Sequence, residues 1–163
     1  MPKSSLTTDT FWHFSCDYYQ NAEVQSALLL LQNHYSANVN LALLCIWLNT
    51  LNLRIESATL EILHREVSTF SNEFTKPLRA LRAHYKDSLQ THINYQTLRS
   101  HLLNAELCLE KEEQALLLVH CGEPNRLIFQ ATRICNLKHY LVDVLKLSKT
   151  DLDQTSLQPL FEH

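Results

Sequence analysis

The segment from residue 39 to 51 is apolar on nearly every side, and it constrains the fold more than any other feature of the chain. Apolar residues fill most of its positions, namely Val39, Leu41, Leu43, Leu44, Ile46, Trp47 and Leu48. A helix without a polar face is stable in water only when other helices surround it. The segment is also too short to cross a bilayer. The sequence therefore predicts an all-α fold, a helical bundle around this central apolar helix.

Helical periodicity extends over most of the remaining chain and predicts about six helices. A chain of 163 residues suits one domain with its own core, and the alternation typical of strands is nearly absent. The predicted helices cover residues 10–20, 22–35, 39–51, 57 to about 85, 95–121 and 125–147. A single helical domain would thus span residues 1–147. The polar segment 148–163 is predicted to be a loosely held C-terminal tail.

Caps and helix breakers mark several of these boundaries. Asp9, Asn21 and Asn38 are suitable N-caps for the first three helices. Gly122 is suited to end the long helix. Pro77 interrupts the fourth helix, because proline lacks one hydrogen-bond donor and clashes with the preceding turn. Two outcomes remain open there: one kinked helix, or two separate helices.

The long helix from residue 95 to 121 carries an apolar stripe that predicts which face packs inward. Its members follow helical spacing and are Leu98, Leu102, Ala105, Leu109, Leu116 and Val119. Such a stripe normally faces the core of the domain.

The glycine content argues against several classes of enzyme. Gly122 is the only glycine, whereas a phosphate-binding loop, a dinucleotide-binding turn and a nucleophile elbow each need two or more nearby. The net charge of −3 gives no overall attraction for nucleic acid. We predict no cofactor and no catalytic residue.

The cysteines indicate the compartment. Five are present, without a paired C-x-x-C motif: Cys16, Cys45, Cys108, Cys121 and Cys135. All lie in apolar or helical surroundings, where a free thiol behaves as a small apolar group. The first ten residues are polar and precede no apolar signal segment. We therefore expect a reduced, cytoplasmic protein without a membrane anchor.

Three short stretches resemble the landmarks of a known protein family. They read FWxFS from residue 11, VNLxLLCxW from residue 39 and PLRxxR from residue 77. They are similar to a bacterial family of cytoplasmic proteins of about this length, described as a domain of unknown function. In that family a glycine is usual at the position of Ser36 and an acid at that of Asn38. The resemblance implies a small helical protein and no particular activity.

A basic stretch near Pro77 is the first candidate for a functional site. It consists of Lys76, Arg79, Arg82 and Lys86. A protein partner could bind it, and so could the phosphates of RNA. Because no aromatic residues alternate with these cations, nucleic acid is the less favoured partner. Alternatively, carboxylates of the long helix would neutralise the stretch within the molecule: Glu106, Glu110, Glu112 and Glu113.

A pocket between helices is the second candidate. Trp12, Tyr19 and Trp47 could line an apolar cavity of the kind that helical bundles provide. Asn40 stands among apolar residues, and a buried amide must be hydrogen-bonded to avoid a cost of about 1–3 kcal/mol. We expect Asn40 to tie the first helix, or the loop before Asn38, to the central helix.

Metal ligands occur in the sequence without forming a complete set. Glu61 and His64 have the spacing of di-iron helices, but no second such pair exists. Cys135 and His139 lie one helical turn apart and could share a cation only with further ligands. We predict no metal site.

Taken together, these features favour a non-enzymatic protein-interaction or regulatory module with an unidentified protein partner. One alternative is a helical bundle that binds or converts a small ligand in an apolar pocket. The other is an RNA- or ribosome-associated protein that uses its basic helix.

Overall fold

The computed structural model describes residues 6–122, 127–130 and 135–162. Within these ranges the chain forms eight α-helices, three other helical segments and one pair of short strands. The α-helices are α1 Thr8–Tyr19, α2 Ala22–Tyr35, α3 Val39–Thr50, α4 Ser57–Phe70, α5 Lys76–Ser88, α6 Tyr95–Cys121, α7 Asn136–His139 and α8 Lys149–Leu152. The other elements are β1 Leu53–Ile55, β2 Leu127–Phe129, π-helical turns at Ser71–Thr75 and Tyr140–Val144, and a 3-10 helix at Thr155–Leu160. The predicted all-α bundle is confirmed.

Helix α3 lies at the centre of this bundle, as its apolar pattern predicts. Every residue from Asn40 to Leu48 is buried, and α1, α2, α4, α6 and α7 pack around it. Burial of each large aliphatic side chain stabilises the fold by about 1.5–3 kcal/mol. The helix begins at the predicted cap, since Asn38 Oδ1 accepts a hydrogen bond from the Leu41 backbone N–H at 2.9 Å.

The caps of the first two helices are only partly those predicted. The Asn21 side chain caps α2 and accepts from the backbone N–H of Glu23 at 2.9 Å. Helix α1 begins before Asp9, because Thr7 and Thr10 form a reciprocal capping box that satisfies two backbone donors.

Pro77 does not split the predicted fourth helix into two separate helices. It also does not lie in the interior of a regular α-helix. A π-helical turn at Ser71–Thr75 joins α4 to α5, with right-handed helical backbone throughout. In this wide turn the backbone N–H of Lys76 donates to the Ser71 carbonyl. Pro77 then falls in the first turn of α5, where its missing donor is least costly. The wide turn also buries Ser71 and Thr75.

The predicted final helix over residues 125–147 is confirmed only over residues 136–144 of its described part. Residues 127–129 form β2, which pairs antiparallel with β1 so that Leu53 lies opposite Phe129. Residues 123–126 and 131–134, which include part of the predicted helix, lie outside the described residues. The helical segment that follows covers only 136–144. Strand pairing with a distant segment therefore overrides the local helical pattern.

Asn136 secures this region to the strand pair. Its side-chain Oδ1 accepts from the Ile55 backbone N–H at 3.1 Å, and its Nδ2 donates to the Leu53 carbonyl at 2.8 Å. Asn136 is fully buried. These bonds satisfy backbone groups of β1 that a two-stranded sheet leaves unpaired.

The C-terminal segment is packed, so the expected loosely held tail is wrong. Leu157 and Leu160 on the 3-10 helix are buried, and this helix packs against α2. The Tyr35 hydroxyl of α2 donates to Asp151 Oδ1 at 3.0 Å. The apolar side chains of this largely polar stretch therefore belong to the hydrophobic core.

No described helix combines the length and the apolar character needed to cross a membrane.

Candidate functional site

A cleft of about 500 Å³ opens between α1, α2, α3, α5 and α6. Its volume lies in the range of small-molecule sites. Its apolar lining comes from several helices and comprises Trp12, Tyr19, Leu29, Val39, Leu43 and Leu107. Its polar lining includes Ser15, Asn38, Asn40, Ser71, Arg79, Arg82, Glu106, Glu110, Glu113 and Gln114. We call this cavity the cleft.

Helix α6 provides much of the polar lining, because it does not pack in the predicted orientation. Of the predicted inward stripe, Leu98 is 44% exposed and Val119 is 69% exposed. The side chains that α6 buries at the cleft are instead Glu106, Glu113 and Gln114. This burial is tolerated because other helices supply hydrogen-bond partners to each of the three.

Glu113 is a buried carboxylate that three side chains hold. Its Oε2 accepts from Asn40 Nδ2 at 2.8 Å and from Asn38 Nδ2 at 3.1 Å. Its Oε1 accepts from Thr75 Oγ1 at 2.7 Å. The π-helical turn is thus tied to α6, and both asparagines at the start of α3 are fixed in orientation.

Gln114 continues this network toward α1. Its Nε2 donates to Asn40 Oδ1 at 2.9 Å and to Ser15 Oγ at 2.9 Å. The Ser15 hydroxyl in turn donates to the Phe11 carbonyl at 2.9 Å. Gln114 is fully buried, yet its Oε1 has no hydrogen-bond partner among the described residues. An unpaired buried acceptor costs about 1–3 kcal/mol.

The two arginines of α5 lie at another part of the cleft, against the carboxylates of α6. Arg79 Nε and Arg82 Nε bind the two oxygens of Glu106 at 2.8 and 2.5 Å. Arg79 also reaches Glu110 Oε1 at 2.9 Å and Gln32 Oε1 at 3.3 Å. The predicted internal pairing of basic and acidic stretches is therefore present for these four charged residues.

Burial and pairing shift the pKa values of these carboxyl groups in opposite directions. Burial alone would raise the pKa of Glu106, but hydrogen bonds from Arg82 and Arg79 outweigh it and lower that pKa. Burial is the largest influence on Glu110 and raises its pKa, against the attraction of Arg79. Glu106 is thus held firmly as a carboxylate.

Cys16 is the one cysteine that the structure places in the cleft lining. Burial and then the nearby charge of Asp17 raise the pKa of its thiol. The thiol is therefore protonated at neutral pH and is a weak nucleophile.

The lining of the cleft as a whole offers hydrogen-bonding groups, charged groups and apolar surface.

Most residues of the two predicted sites line the same cleft. Trp12, Tyr19 and Asn40 from the predicted pocket share the cleft with Arg79 and Arg82 from the predicted basic stretch. Asn40 is buried and hydrogen-bonded, as expected. Its partners lie on α6, whereas we expected them on the first helix or the preceding loop.

The remaining predicted residues lie elsewhere. Trp47 is in the core, where its ring stacks on Phe11 with centroids 5.0 Å apart. Lys76 is exposed and donates to Asn72 Oδ1 at 2.7 Å, and Lys86 is exposed near the end of α5. None of these three lines the cleft.

Glu113 and Gln114 are the main residues of the site that sequence reasoning missed. The sequence presents Glu113 only as one member of an acidic set, and no pattern singles out Gln114. The available signal was Asn40, whose amide in an apolar helix requires polar partners from another element.

In the part of the chain that the structure describes, no group of three or more His, Cys, Asp or Glu side chains is arranged to hold a metal ion. His64 instead contacts Tyr140, with its Nδ1 2.8 Å from the hydroxyl. That hydroxyl also accepts from the Asn38 backbone N–H at 3.0 Å.

The fold and the cleft together define an all-α bundle with a buried polar network beside an apolar-walled cavity. The chain belongs to the family described as "Protein of unknown function (DUF2390)", whose model matches residues 10–117. This match covers α1 to most of α6 and so includes every residue of the cleft lining. A search of curated proteins and a search of solved structures each found no match.

Proposed function

We propose that this protein is a non-enzymatic binding module that takes a small molecule in the cleft. The observation that carries the proposal is Gln114, a fully buried side chain of the cleft lining whose Oε1 has no partner among the described residues. Buried acceptors are nearly always satisfied in folded proteins. A ligand that donates a hydrogen bond would satisfy this one.

The surrounding network supports the proposal because it makes the site rigid. Glu113 holds Asn40, and Asn40 with Ser15 holds Gln114. Binding to a site that is already ordered costs little conformational entropy. Apolar side chains at the same cavity, among them Trp12 and Leu43, would exclude water from a ligand.

The test is a screen of water-soluble fragments by ¹H–¹⁵N correlation NMR, with wild type and two matched tryptophan variants. Leu107 lines the cleft and is 38% exposed, so Leu107→Trp would fill part of the cavity without disturbing the core. Leu103 is equally exposed one turn earlier on α6 and does not line the cleft. Leu103→Trp is therefore the control.

We expect bound fragments to shift the Trp12 indole N–H and the Gln114 side-chain amide. Leu107→Trp should weaken their binding by about tenfold or more, whereas Leu103→Trp should leave it unchanged. The proposal fails if no fragment shifts these signals, or if both variants bind fragments as the wild type does.

A protein partner is a second candidate, favoured by exposed apolar side chains on the α5–α6 hairpin. Leu81 is 52% exposed and Leu98 is 44% exposed, and α5 has no buried residue. A partner would cover this apolar surface rather than bind Arg79 and Arg82. Co-purification from the source cells should then lose a specific protein with Leu81→Glu and retain it with Lys86→Glu.

Two further parts of the proposal concern RNA and the cellular compartment. RNA association is the weaker alternative, because Arg79 and Arg82 are already paired with Glu106 and would have to exchange it for phosphate. We place the protein in the reduced cytoplasm because its five cysteines are free thiols.

A further inference from the structure

We propose that the ligand of the cleft is a small organic cation, with a primary ammonium group bound by Gln114 Oε1 beside Glu113 and an apolar body. This inference rests on the proposed function, since it specifies the chemistry of the molecule that the cleft takes.

The hydrogen bonds fix which atom Gln114 offers. The Glu113 carboxylate only accepts, so the Asn40 amide must turn its Nδ2 toward Glu113 and its Oδ1 toward Gln114. Gln114 must then present Nε2 to that oxygen. A flipped Gln114 would bring two acceptors together. The atom left without a partner is therefore Oε1, which requires a donor on the ligand.

The charges of the cleft also favour a cation. Its lining holds three carboxylates and two guanidinium groups. Glu106 and Glu110 pair with the arginines. Glu113, by contrast, has only neutral donors and no ion pair in the described part of the chain. A buried carboxylate without a counter-ion is destabilising, and a ligand cation would offset its charge.

The guanidinium group of Arg79 is already engaged with protein acceptors, which argues against an anion at this residue. Each terminal nitrogen and the Nε of Arg79 already donates to a protein acceptor, namely Glu106, Glu110 or Gln32. Arg82 is bound to Glu106 through its Nε, and its terminal nitrogens have no acceptor among the described residues. An anion held by them would nevertheless add its charge to that of Glu113, whose carboxylate has only neutral donors.

The ammonium group and an apolar body match what the cleft offers. An ammonium carries three donors and a full charge, which suits an unpaired acceptor next to a carboxylate. Trp12, Val39 and Leu43 provide the apolar surface for the rest of the molecule. Asn40 bonds to both Glu113 and Gln114, so an ammonium group on Gln114 Oε1 lies in the same polar network as the Glu113 charge.

The experiment compares three probes that share a phenyl body and differ in the head group: phenethylamine, 2-phenylethanol and 3-phenylpropionate. Binding is followed by titration calorimetry and by the NMR signals of Trp12 and Gln114. We expect phenethylamine to bind about tenfold more tightly than 2-phenylethanol, and 3-phenylpropionate to bind most weakly. These measurements use the wild-type chain and do not depend on a variant that folds.

Two variants, each of which removes one carboxylate, test whether Glu113 is the source of the preference for phenethylamine. Glu113→Gln should reduce the advantage of phenethylamine over 2-phenylethanol to about twofold or less. Glu112→Gln removes a charge from the neighbouring, exposed position on α6 and should leave that advantage intact. The ratio of two ligands on the same variant is insensitive to a general loss of stability.

The inference is overturned if 3-phenylpropionate binds at the cleft as tightly as phenethylamine, or if both Glu variants lose the preference equally. In either case binding at the cleft would still support the proposed function. If none of the three probes binds while other fragments shift the signals of Trp12 and Gln114, the proposal of a cationic ligand is wrong. The proposed small-molecule binding function is then still supported. If no fragment binds there, both proposals fall.

Discussion

The side-chain amide of Asn40 donates to Glu113 Oε2 at 2.8 Å and thereby joins the start of α3 to α6 across 73 positions of sequence. The same side chain accepts from Gln114 at 2.9 Å. One residue thus connects the central helix to the polar lining of the cleft.

Replacing Asn40 with Ala or with Leu should lower the free energy of unfolding by about 1–3 kcal/mol, because Glu113 and Gln114 would stay buried with fewer partners. Urea unfolding followed by circular dichroism gives the values. Asn104→Ala, at an exposed position of α6, is the control and should change stability little. If both Asn40 variants unfold at the wild-type urea concentration, the amide is not a structural tie.

The partial burial of His64 should make stability depend on pH. Burial, and to a smaller extent Lys76, lower the pKa of His64 in the folded protein. Between that lowered pKa and the unfolded value of about 6.5, the unfolded chain binds more protons than the folded one. The free energy of unfolding should therefore fall as the pH decreases through this window.

His64→Gln removes the titrating group, so its free energy of unfolding should vary less with pH across the window below about 6.5. Urea unfolding at several pH values measures the slope. The matched control is His101→Gln, since His101 is exposed on α6. If the free energy of unfolding of His64→Gln depends on pH as steeply as that of the wild type, His64 is not the group responsible.

Leu157→Ala should lower the free energy of unfolding by about 2–5 kcal/mol, because it would leave a cavity where the 3-10 helix packs against α2. Leu157 is fully buried, while its neighbour Ser156 is exposed. Ser156→Ala should therefore be nearly neutral in the same thermal or urea unfolding measurement. Equal stability of the two variants would mean that the C-terminal segment is not part of the core.

Ser36→Gly should raise the free energy of unfolding by about 0.5–1 kcal/mol. Ser36 ends α2 with φ 57° and ψ 27°, a left-handed conformation that glycine adopts without steric cost. Ser26→Gly places glycine in the exposed middle of α2 and should lower stability by a similar amount. The backbone explanation is wrong if both glycines act in the same direction.

Local signals account for the parts of the fold that could be predicted from the sequence. The all-round apolar character of α3 placed it correctly at the centre, because burial of such a segment is required in any fold. Asn21 and Asn38 marked helix starts correctly, because capping involves residues only a few positions apart. Gly122 follows the last residue of α6 as predicted, but with a right-handed backbone (φ −78°) and not the left-handed conformation that favours glycine.

Contacts between segments that are distant in sequence account for the differences between the predicted and the observed structure. The strand pair joins Leu53 to Phe129, and nothing near either residue reveals its partner. Likewise, Leu157 looks like an isolated apolar residue in a polar stretch until α2 covers it. On α6, the exposure of Leu98 and the burial of Glu113 reverse the usual preference. The hydrogen bonds from Asn38, Asn40 and Thr75 explain the burial of Glu113.

The sequence by itself determined the helical class, the central helix and most helix boundaries, because periodicity and capping act over one or two turns of backbone. The tertiary structure decided the strand pair, the packed C-terminus and the cleft. The free energy of a buried polar group depends on partners that other elements supply. The cleft therefore exists only after α3, α5 and α6 have assembled around Glu113 and Gln114.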